Sequence, residues 1–361
     1  MRRRQTVTST EVRPADPTDR PLAVRLAFGG LAAQALRAAV RLHIVELLGS
    51  GPRRACDVAA AAEAEHQPVT RLLRALTGLG LLEEPTPDTF SATPAGALLH
   101  PDHPHSLASF VRVFTDPAIV RAWEHLDDSV RTGDAAFDTV FGTDFFDHLA
   151  RHPELSADFD TAMGQATAEA ASVLPHAYDF ARFTAVTDVG GGDGTLLAAV
   201  LTAHPHLTGT VHDTARGLRG APETLRRHGV TGRCTPAAGD FFRSVPAGSD
   251  LYLLKSVLHD WPDDRAVTIL RHCRAVLPPG GRVLIVEPVL PDTVEDTGAA
   301  AHALDGAVTY LSDLNMMVNL GGRERTRADF HDLCGRAGLS LLWAAPLEGA
   351  APYFLLEAAS A

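Results

Sequence analysis

Short apolar runs alternate with longer amphipathic stretches from residue 184 to the end of the sequence. The runs are continuous, which is typical of buried strands, and the stretches between them have the length of helices. They cover residues 185–189, 209–211, 251–257, 282–289, 339–345 and 353–358. This pattern predicts a parallel α/β sheet that helices cover on both faces. Ligands bind such sheets at the carboxyl ends of the strands, so catalytic residues are expected there.

The first part of the chain has a helical pattern. Residues 21–48 are rich in Ala and Leu and apolar on more than one face, which predicts a buried helix. Burial against a partner subunit and burial in a core of the same chain both fit. Residues 55–62 and 68–79 predict two more helices, and residues 81–93 predict a small hairpin. Two helices followed by a hairpin have the outline of a winged helix.

A winged helix can read DNA or can serve as a dimerisation fold. A DNA-reading helix carries clustered basic residues, whereas the second helix offers only Arg71 and Arg74. The chain of 361 residues has a net charge of −12, and acidic proteins bind nucleic acid and anionic membranes poorly. We therefore expect residues 21–105 to form a dimerisation domain of a homodimer, with no nucleic-acid or membrane partner.

Cysteine content and the length of apolar runs bear on the compartment. The four cysteines are scattered and form no C-x-x-C pair, so neither a zinc site nor a disulfide framework is predicted. No apolar run has the length of a membrane span, and a reduced, cytoplasmic setting fits best. Residues 1–20 have few large apolar side chains and are predicted to be a disordered leader.

Residues 106–175 are predicted to be helical and carry many aromatic side chains. Such rings can line a pocket for a flat ligand, or they can pack between two domains. The candidates for contact with a ligand are Trp123, Phe145 and Phe146. We interpret this region as a helical linker that lines a pocket, followed by a catalytic domain at residues 176–361.

A glycine-rich turn follows the first strand of the predicted sheet. After Asp188 it contains Gly190, Gly192 and Gly194, with the spacing G-x-G-x-G. Glycine allows positive φ and close approach of a ligand to the backbone, and the helix start that follows favours an anionic group. Dinucleotide-binding enzymes need a third glycine where this chain has Thr195. The tighter spacing resembles the first motif of S-adenosylmethionine-binding methyltransferases.

Two acidic residues follow the next two strands. Asp213 ends the second strand, where a carboxylate can accept hydrogen bonds from both ribose hydroxyls. Its alternative role is to cap the helix that follows. Asp240 and Phe241 come after a short third strand, and an acid beside an aromatic ring could hold the amino group and the face of an adenine.

One histidine and two acids are expected at the catalytic edge. His259 follows the fourth strand and could take a proton near neutral pH, although an isolated histidine is more often structural. Glu287 closes the apolar fifth strand, where a carboxylate is costly unless it is paired. Glu324 precedes a predicted capping box of Thr326 and Asp329 and is not needed as the cap. Together they have the composition of a base with two orienting carboxylates.

These residues, in this order and spacing, resemble the small-molecule O-methyltransferases of the caffeic-acid type from plants and actinobacteria. The resemblance extends from about residue 21 to the end and is carried by residues 188–194, 239–242, 254–261 and 321–326. It implies a Rossmann-like α/β methyltransferase domain, preceded by a mostly helical winged-helix dimerisation domain. It also implies S-adenosyl-L-methionine as cofactor, and methyl transfer to a hydroxyl of a small aromatic or polyketide-like natural product.

The resemblance also implies roles for individual residues. His259 would be the general base, bracketed by Glu287 and Glu324. The predicted cofactor contacts are Met163, Thr167, Asp188, Gly190, Gly192, Gly194, Asp213, Asp240, Phe241 and Lys255. The predicted acceptor contacts are Trp123, Phe145, Phe146, Asp260, Asn315, Met316 and Asn319.

The chain departs from the family after Asp213, where it continues with Thr214, Ala215 and Arg216 and the family usually has Asp-Leu-Pro. Some bacterial members of this fold perform hydroxylation or ring chemistry, but the intact His259-Asp260-Trp261 segment favours the ordinary reaction. The alternatives are a C- or N-methyltransferase or hydroxylase of the same fold and, less favoured, a winged-helix regulator that senses a small molecule.

Overall fold

The computed structural model describes residues 19–294 and 307–361. Most of the predicted leader, residues 1–18, lies outside the described residues. The chain divides into two compact units, one ending at Thr93 and the other beginning at Pro94. The sequence pattern places this boundary at residue 105, after the one short helix, Pro94–Ala97, that follows the hairpin.

The described part of the first unit, residues 19–93, combines five helices with a three-stranded antiparallel sheet of order β1-β3-β2. Its elements are α1 (Asp19–Ala27), α2 (Gly29–Arg41), α3 (Ile44–Leu48), β1 (Arg53–Arg54), α4 (Ala55–Ala61), α5 (His66–Gly78), β2 (Leu82–Thr86) and β3 (Thr89–Ala92). Helix α5 buries Val69, Leu73 and Leu76 on one face, and they pack against Phe90 of the hairpin.

The predicted single helix at residues 21–48 is divided into three. His43 has a left-handed backbone, with φ of 54°, and separates α2 from α3. Large apolar side chains of α1 and of the start of α2 are exposed, at 54% for Leu26, 61% for Phe28 and 63% for Leu31. Of the two environments that fit the apolar pattern, a core of the same chain therefore does not describe α1 and the start of α2. It does describe the end of the segment, because Ala39, Ile44 and Leu48 are buried in the core of this unit.

The second unit begins with seven helices, which include the aromatic region. They are α6 (Pro94–Ala97), α7 (Ala108–Phe114), α8 (Pro117–Trp123), α9 (Leu126–Thr132), α10 (Ala136–Phe141), α11 (Phe145–Arg151) and α12 (Pro153–Ala177). Many of the aromatic rings pack on one another in a core that includes Phe137, Phe145 and Leu149.

A mixed sheet forms the rest of this unit, with strand order β10-β11-β8-β7-β4-β5-β6 and β9 paired to β8. The strands are β4 (Ala185–Val189), β5 (Thr208–Asp213), β6 (Cys234–Ala238), β7 (Leu251–Lys255), β8 (Arg282–Leu290), β9 (Arg325–Thr326), β10 (Leu339–Pro346) and β11 (Tyr353–Ser360). The helices between them are α13 (Thr195–Ala203), α14 (Ala221–Arg227), α15 (Asp263–Val276), α16 (Val308–Leu320) and α17 (Arg327–Ala337).

The fold class is as predicted, but the sheet is not parallel throughout. Strands β4 to β9 pair in parallel, whereas β11 is antiparallel to both β8 and β10. The reason is the short connection at residues 347–352, since a parallel pair needs a crossover of a dozen or more residues. The chain order reverses between β4 and β7, and ligands bind at such a switch point.

Within the described ranges, no single helix is long and apolar enough to span a membrane. The bent pair Arg20–Ala27 and Gly29–Arg41 passes this length and composition test only when its two helices are joined across a bend of 42°.

Candidate active site

The glycine-rich turn after β4 is shaped for a ligand. Gly190 has φ of 75°, and a Cβ there would lie 2.6 Å from Val257 Cγ2, so only glycine fits. Gly192 has φ of 55°, but a Cβ there would meet no atom within 4 Å. Gly194 is the N-cap of α13. The turn is therefore tight on the side of β7 and open on the side of Gly192, as a cofactor cradle requires.

Asp213 supports this turn from the end of β5. Its Oδ2 accepts a hydrogen bond from the Gly192 amide at 2.9 Å, and its Oδ1 accepts from the Thr214 amide at 2.6 Å. Helix α14 has Gly220 as its N-cap, so Asp213 does not cap it. Oδ1 also accepts from Thr214 Oγ1 at 3.2 Å, whereas Oδ2 has a further lone pair. The half-buried side chain can therefore still accept a hydrogen bond from a ribose.

Asp188 lies beneath the turn rather than on its open side. It is 2% exposed, and its Oδ2 lies 2.7 Å from the Cβ position of Gly191. Burial, helped by the nearby Asp213, raises the pKa of Asp188 to about 7. Among the described residues, Oδ2 has no hydrogen-bond partner. The predicted cofactor role of Asp188 thus fits support of the turn better than a surface contact.

Asp240 and Phe241 lie beyond β6. The Asp240 carboxylate accepts a hydrogen bond from the Phe242 amide at 2.8 Å and is half exposed. The Phe241 ring lies 3.7 Å from the Cβ position of Gly190, and its centroid is 6.2 Å from that of Trp261. The ring therefore borders the glycine turn and offers a flat apolar surface for a base.

Helix α12 brings Met163 and Thr167 to the carboxyl end of β7. Thr167 Oγ1 donates to the Met163 carbonyl at 2.8 Å and accepts from Lys255 Nζ at 3.3 Å. The same ammonium lies 4.6 Å from the centre of the Tyr353 ring. Tyr353 was not among the predicted site residues, because the neighbour of Lys255 comes from the antiparallel strand β11.

His259 sits in a one-turn helix directly after β7 and is surrounded by carboxylates. Its Nδ1 lies 3.0 Å from Glu324 Oε1 and 3.7 Å from Glu287 Oε2, and its Nε2 lies 3.4 Å from Asp260 Oδ1. A proton on Nδ1 that is donated to Glu324 leaves Nε2 as the basic nitrogen. The three predicted catalytic residues are therefore brought together.

Hydrogen bonds hold both glutamates in place. Glu287 Oε1 accepts from the amides of Val257 and Leu258, each at 2.8 Å. Glu324 Oε1 accepts from Ser312 Oγ at 3.1 Å. Both side chains are buried, and in each the second oxygen, Oε2, accepts no hydrogen bond from the described residues.

The charges of this cluster are strongly coupled. Burial by itself lowers the pKa of His259, but the surrounding carboxyl groups of Glu287, Asp260 and Glu324 outweigh burial and raise that pKa to about 10. Burial raises the pKa of Asp260 to about 7 and also raises the pKa of Glu287. Candidate ligand atoms of His259, Glu287 and Glu324 lie within 4.8 Å of one another, which is close enough for one divalent cation to contact all three.

The segment after α16 fixes the one-turn helix that carries His259, called the catalytic turn below. Arg325 is fully buried and donates to the carbonyls of Leu258 at 2.7 Å and Trp261 at 2.8 Å. A Cβ at Gly322 would overlap the His259 carbonyl, so this glycine is required for close packing. Sequence reasoning missed both roles, since only the glutamate of this segment carries an obvious chemical function.

The predicted acceptor residues divide into two groups. Trp123 Nε1 and Asn319 Nδ2 both donate to Asn315 Oδ1, at 3.1 and 2.8 Å. Phe146 stacks on Trp261 with ring centroids 5.6 Å apart. Phe145, by contrast, is a buried member of the aromatic core, which is the packing alternative for this region. Met316 is buried on the same helix as the two asparagines.

A doubly covered α/β sheet, an open glycine turn, an acid at the end of β5 and a histidine–carboxylate cluster define an S-adenosylmethionine-dependent methyltransferase. Known proteins agree. An O-methyltransferase domain model matches residues 123–340, and a model of the O-methyltransferase dimerisation domain matches residues 24–102. The chain belongs to this O-methyltransferase family, whose cofactor is S-adenosylmethionine.

Individual relatives cover almost the whole chain. The O-demethylpuromycin-O-methyltransferase of Streptomyces alboniger is 45% identical over 92% of this chain and 87% of its own. The solved mitomycin 7-O-methyltransferase is 36% identical, with a TM-score of 0.87 over 95% of this chain and 98% of that one. A neocarzinostatin-pathway O-methyltransferase, solved with S-adenosylmethionine and a naphthoic acid, is 33% identical, with a TM-score of 0.78 over 93% and 98%.

A further relative has a different reaction in its name. The aclacinomycin 10-hydroxylase of Streptomyces purpurascens is 36% identical over 91% of this chain and 87% of its own. Relatives of this chain therefore include proteins named for more than one reaction.

Proposed function

We propose that this protein methylates a hydroxyl group of a small aromatic or polyketide-like natural product, with His259 as the general base. The observation that carries the proposal is the position of His259 at the end of β7, with Nδ1 held by Glu324 at 3.0 Å and Nε2 left for the acceptor. The names of the relatives, which include puromycin and mitomycin methyltransferases, support a natural-product acceptor.

The proposed cofactor residues surround the glycine turn. Asp213 would accept the ribose hydroxyls, Asp240 and Phe241 would hold the adenine, and the open side at Gly192 would admit the methionine end. Met163 and Lys255 would border the opposite wall. S-adenosylmethionine supplies a methyl group on a positively charged sulfur.

The chain's part in the chemistry is alignment and removal of a proton. Glu324 fixes the imidazole ring by accepting a hydrogen bond from Nδ1–H, and Nε2 takes the proton of the acceptor hydroxyl. The carboxyl groups around His259 raise the pKa of its imidazole, which makes Nε2 a stronger base toward the hydroxyl proton. The acceptor oxygen therefore gains negative character as it attacks.

The acceptor would lie between Trp123, Phe146 and the face of α16 that carries Asn315, Met316 and Asn319. The indole N–H can only donate, which assigns the nearest atom of Asn315 as its oxygen. The Asn315 Nδ2 group is then left as a donor toward the acceptor. Asp260, 3.4 Å from His259 Nε2, would border the hydroxyl that reacts.

The homodimer is proposed to form through the first unit. The dimerisation model covers this unit, and the exposed apolar side chains of α1 and α2 form the kind of patch that marks a protein interface.

All four cysteines are free, which supports a reduced, cytoplasmic setting.

A hydroxylase of the same fold is the second candidate, because one relative bears that name. The intact cluster around His259 favours methyl transfer, since a positioned base is what hydroxyl methylation needs.

The proposal is tested by calorimetry and turnover with the purified protein. S-adenosylmethionine should bind with micromolar affinity and NAD should not bind. Phenolic acceptors should gain a methyl group, and His259→Ala should lower kcat by about 10²–10⁴-fold while the cofactor affinity is kept. His206→Ala, at an exposed histidine, is the matched control. Unchanged turnover in His259→Ala would rule out this base, and a hydroxylated product would favour the second candidate.

A further inference from the structure

Helix α12 presents one polar face toward the strand ends. Ser156, Asp160, Met163 and Thr167 follow one another at spacings of four, three and four residues, which places them on one side of a helix. Thr167 is tied to β7 through Lys255. This face is also attached at its other end, by residues that neither the family motifs nor the predicted site include.

Two arginines from the loop after β5 make that attachment. Arg216 Nη1 lies 3.3 Å from Ser156 Oγ and 3.4 Å from Asp160 Oδ1. Arg219 Nη2 lies 3.1 Å from Ser156 Oγ and 3.6 Å from Asp160 Oδ2. Ser156 is buried, and burial raises the pKa of Asp160, against which the two arginines act.

These arginines start from the loop that is proposed to hold the ribose. Arg216 follows Asp213 by three residues, and the Gly217 amide donates to Thr214 Oγ1 at 3.1 Å, which folds the loop around the Asp213 carboxylate. Halfway along the same helix face, the Cβ position of Gly164 lies 3.5 Å from Asp193 Oδ2 of the glycine turn. The helix therefore contacts the carboxyl ends of three strands that are neighbours in the sheet, β5, β4 and β7.

We propose that Arg216 and Arg219, with Ser156 and Asp160, form a clasp that closes α12 over the ribose loop and slows release of the cofactor and its product. The clasp rests on the proposed function, because its effect depends on Asp213 as the ribose ligand. Its members are positioning residues, which act through the loop and not on the reacting atoms. Arg216 directly follows the two positions, Thr214 and Ala215, at which the chain departs from the pattern of its family.

The partial exposure of the clasp gives it a measurable signature. The side chains are 23% exposed for Arg216 and 37% for Asp160, so salt screens their attraction. A contact that closes over a bound ligand acts mainly on the dissociation rate. We therefore expect S-adenosylhomocysteine to dissociate faster as salt is raised.

The test is surface plasmon resonance of the full chain with S-adenosylhomocysteine. Arg216→Gln/Arg219→Gln and, separately, Asp160→Asn should raise the dissociation rate by roughly five- to twentyfold, with little change in the association rate. The triple variant should show no further increase, because both changes break one contact. Arg226→Gln is the control, since Arg226 pairs with the exposed Glu223 on α14 and with no other acid among the described residues. The dissociation rate of this variant should equal that of the wild type.

Each outcome bears on the proposal. Loss of the salt dependence in the triple variant, with the wild-type melting temperature of the unliganded protein, supports the clasp. Wild-type dissociation rates in the variants would overturn the clasp and leave the proposed function standing. Additive effects of the two changes would overturn it as well. Failure of the wild type to bind S-adenosylhomocysteine would instead overturn the proposed function on which the clasp rests.

If a multiple variant does not fold, Arg216→Lys keeps the charge but loses the guanidinium fork. S-adenosylhomocysteine should dissociate from this variant only slightly faster than from the wild type. A dissociation rate as high as that of Asp160→Asn would contradict a charge-based clasp.

Discussion

The cofactor-binding side and the catalytic side of the site differ in the chemical groups that form them and in their exposure to solvent. On the cofactor side, backbone in positive-φ conformations and partly exposed acids leave open space next to Gly192. On the catalytic side, charged side chains are excluded from solvent, and Glu287, Glu324 and Arg325 are all buried. The cofactor must arrive and leave in every turnover, whereas the base must keep one orientation.

Burying charges is costly unless hydrogen bonds compensate. On the catalytic side those bonds connect residues far apart in the chain, such as Arg325 to the Leu258 carbonyl. On the cofactor side, the bonds that shape the glycine turn join residues closer in the chain, such as Asp213 to the amides of Gly192 and Thr214. A disturbance on the catalytic side should therefore affect folding and rate together, while one on the cofactor side should affect binding alone.

The largest effect is expected for Arg325→Met. The change leaves two backbone carbonyls of the catalytic turn without their donor, which costs about 2–4 kcal/mol of unfolding free energy. Urea unfolding measures this loss, and turnover should fall in the folded enzyme while the affinity for S-adenosylmethionine is kept. Arg323→Met is the control, because Arg323 shares the partner Asp263 but is 41% exposed and should cost under about 1 kcal/mol. Equal losses in both variants would remove the contrast between the two sides.

The same contrast explains which features the sequence could predict. The glycine turn, Asp213 and the capping box of Thr326 and Asp329 are local patterns, and the capping box is present at the start of α17. The convergence of His259 and Glu287 followed from the rule that strand ends meet at one edge, whereas the place of Glu324 beside them followed from the family resemblance. Local patterns carry no information on contacts across the fold, which is why the role of Arg325 was not foreseen.

Two other differences have similar causes. The break of the first predicted helix depends on the left-handed backbone of His43, a conformation that is uncommon for a non-glycine residue. The packing of Phe145 in the aromatic core depends on which helix face turns inward, and the aromatic spacing of that region is consistent with either face.

A smaller effect, specific to the catalytic side, is expected for Glu324→Gln. Deprotonated His259 is the active form, so kcat/KM of the wild type should rise with pH from 7 toward the His259 pKa of about 10. Removing one negative neighbour disfavours the imidazolium, which lowers that pKa, and the rise should move to lower pH by ~1 unit. Ser312→Ala removes a hydrogen bond to Glu324 without a change of charge and should move the profile much less. A pH profile of Glu324→Gln that coincides with that of the wild type would show that Glu324 does not raise the pKa of His259.

The smallest effect is expected for Gly192→Ala, and it isolates the cofactor side. Gly192 and Gly229 both have positive φ, 55° and 68°, and a Cβ at either position meets no atom within 4 Å. Alanine should therefore cost about 1 kcal/mol of unfolding free energy in each case. Only at Gly192 would the added methyl occupy the space assigned to the cofactor, so only Gly192→Ala should weaken S-adenosylmethionine binding, by roughly fivefold or more in a calorimetric titration. If Gly229→Ala weakens binding equally, the loss reflects backbone strain, and the open side of the turn is not where the cofactor lies.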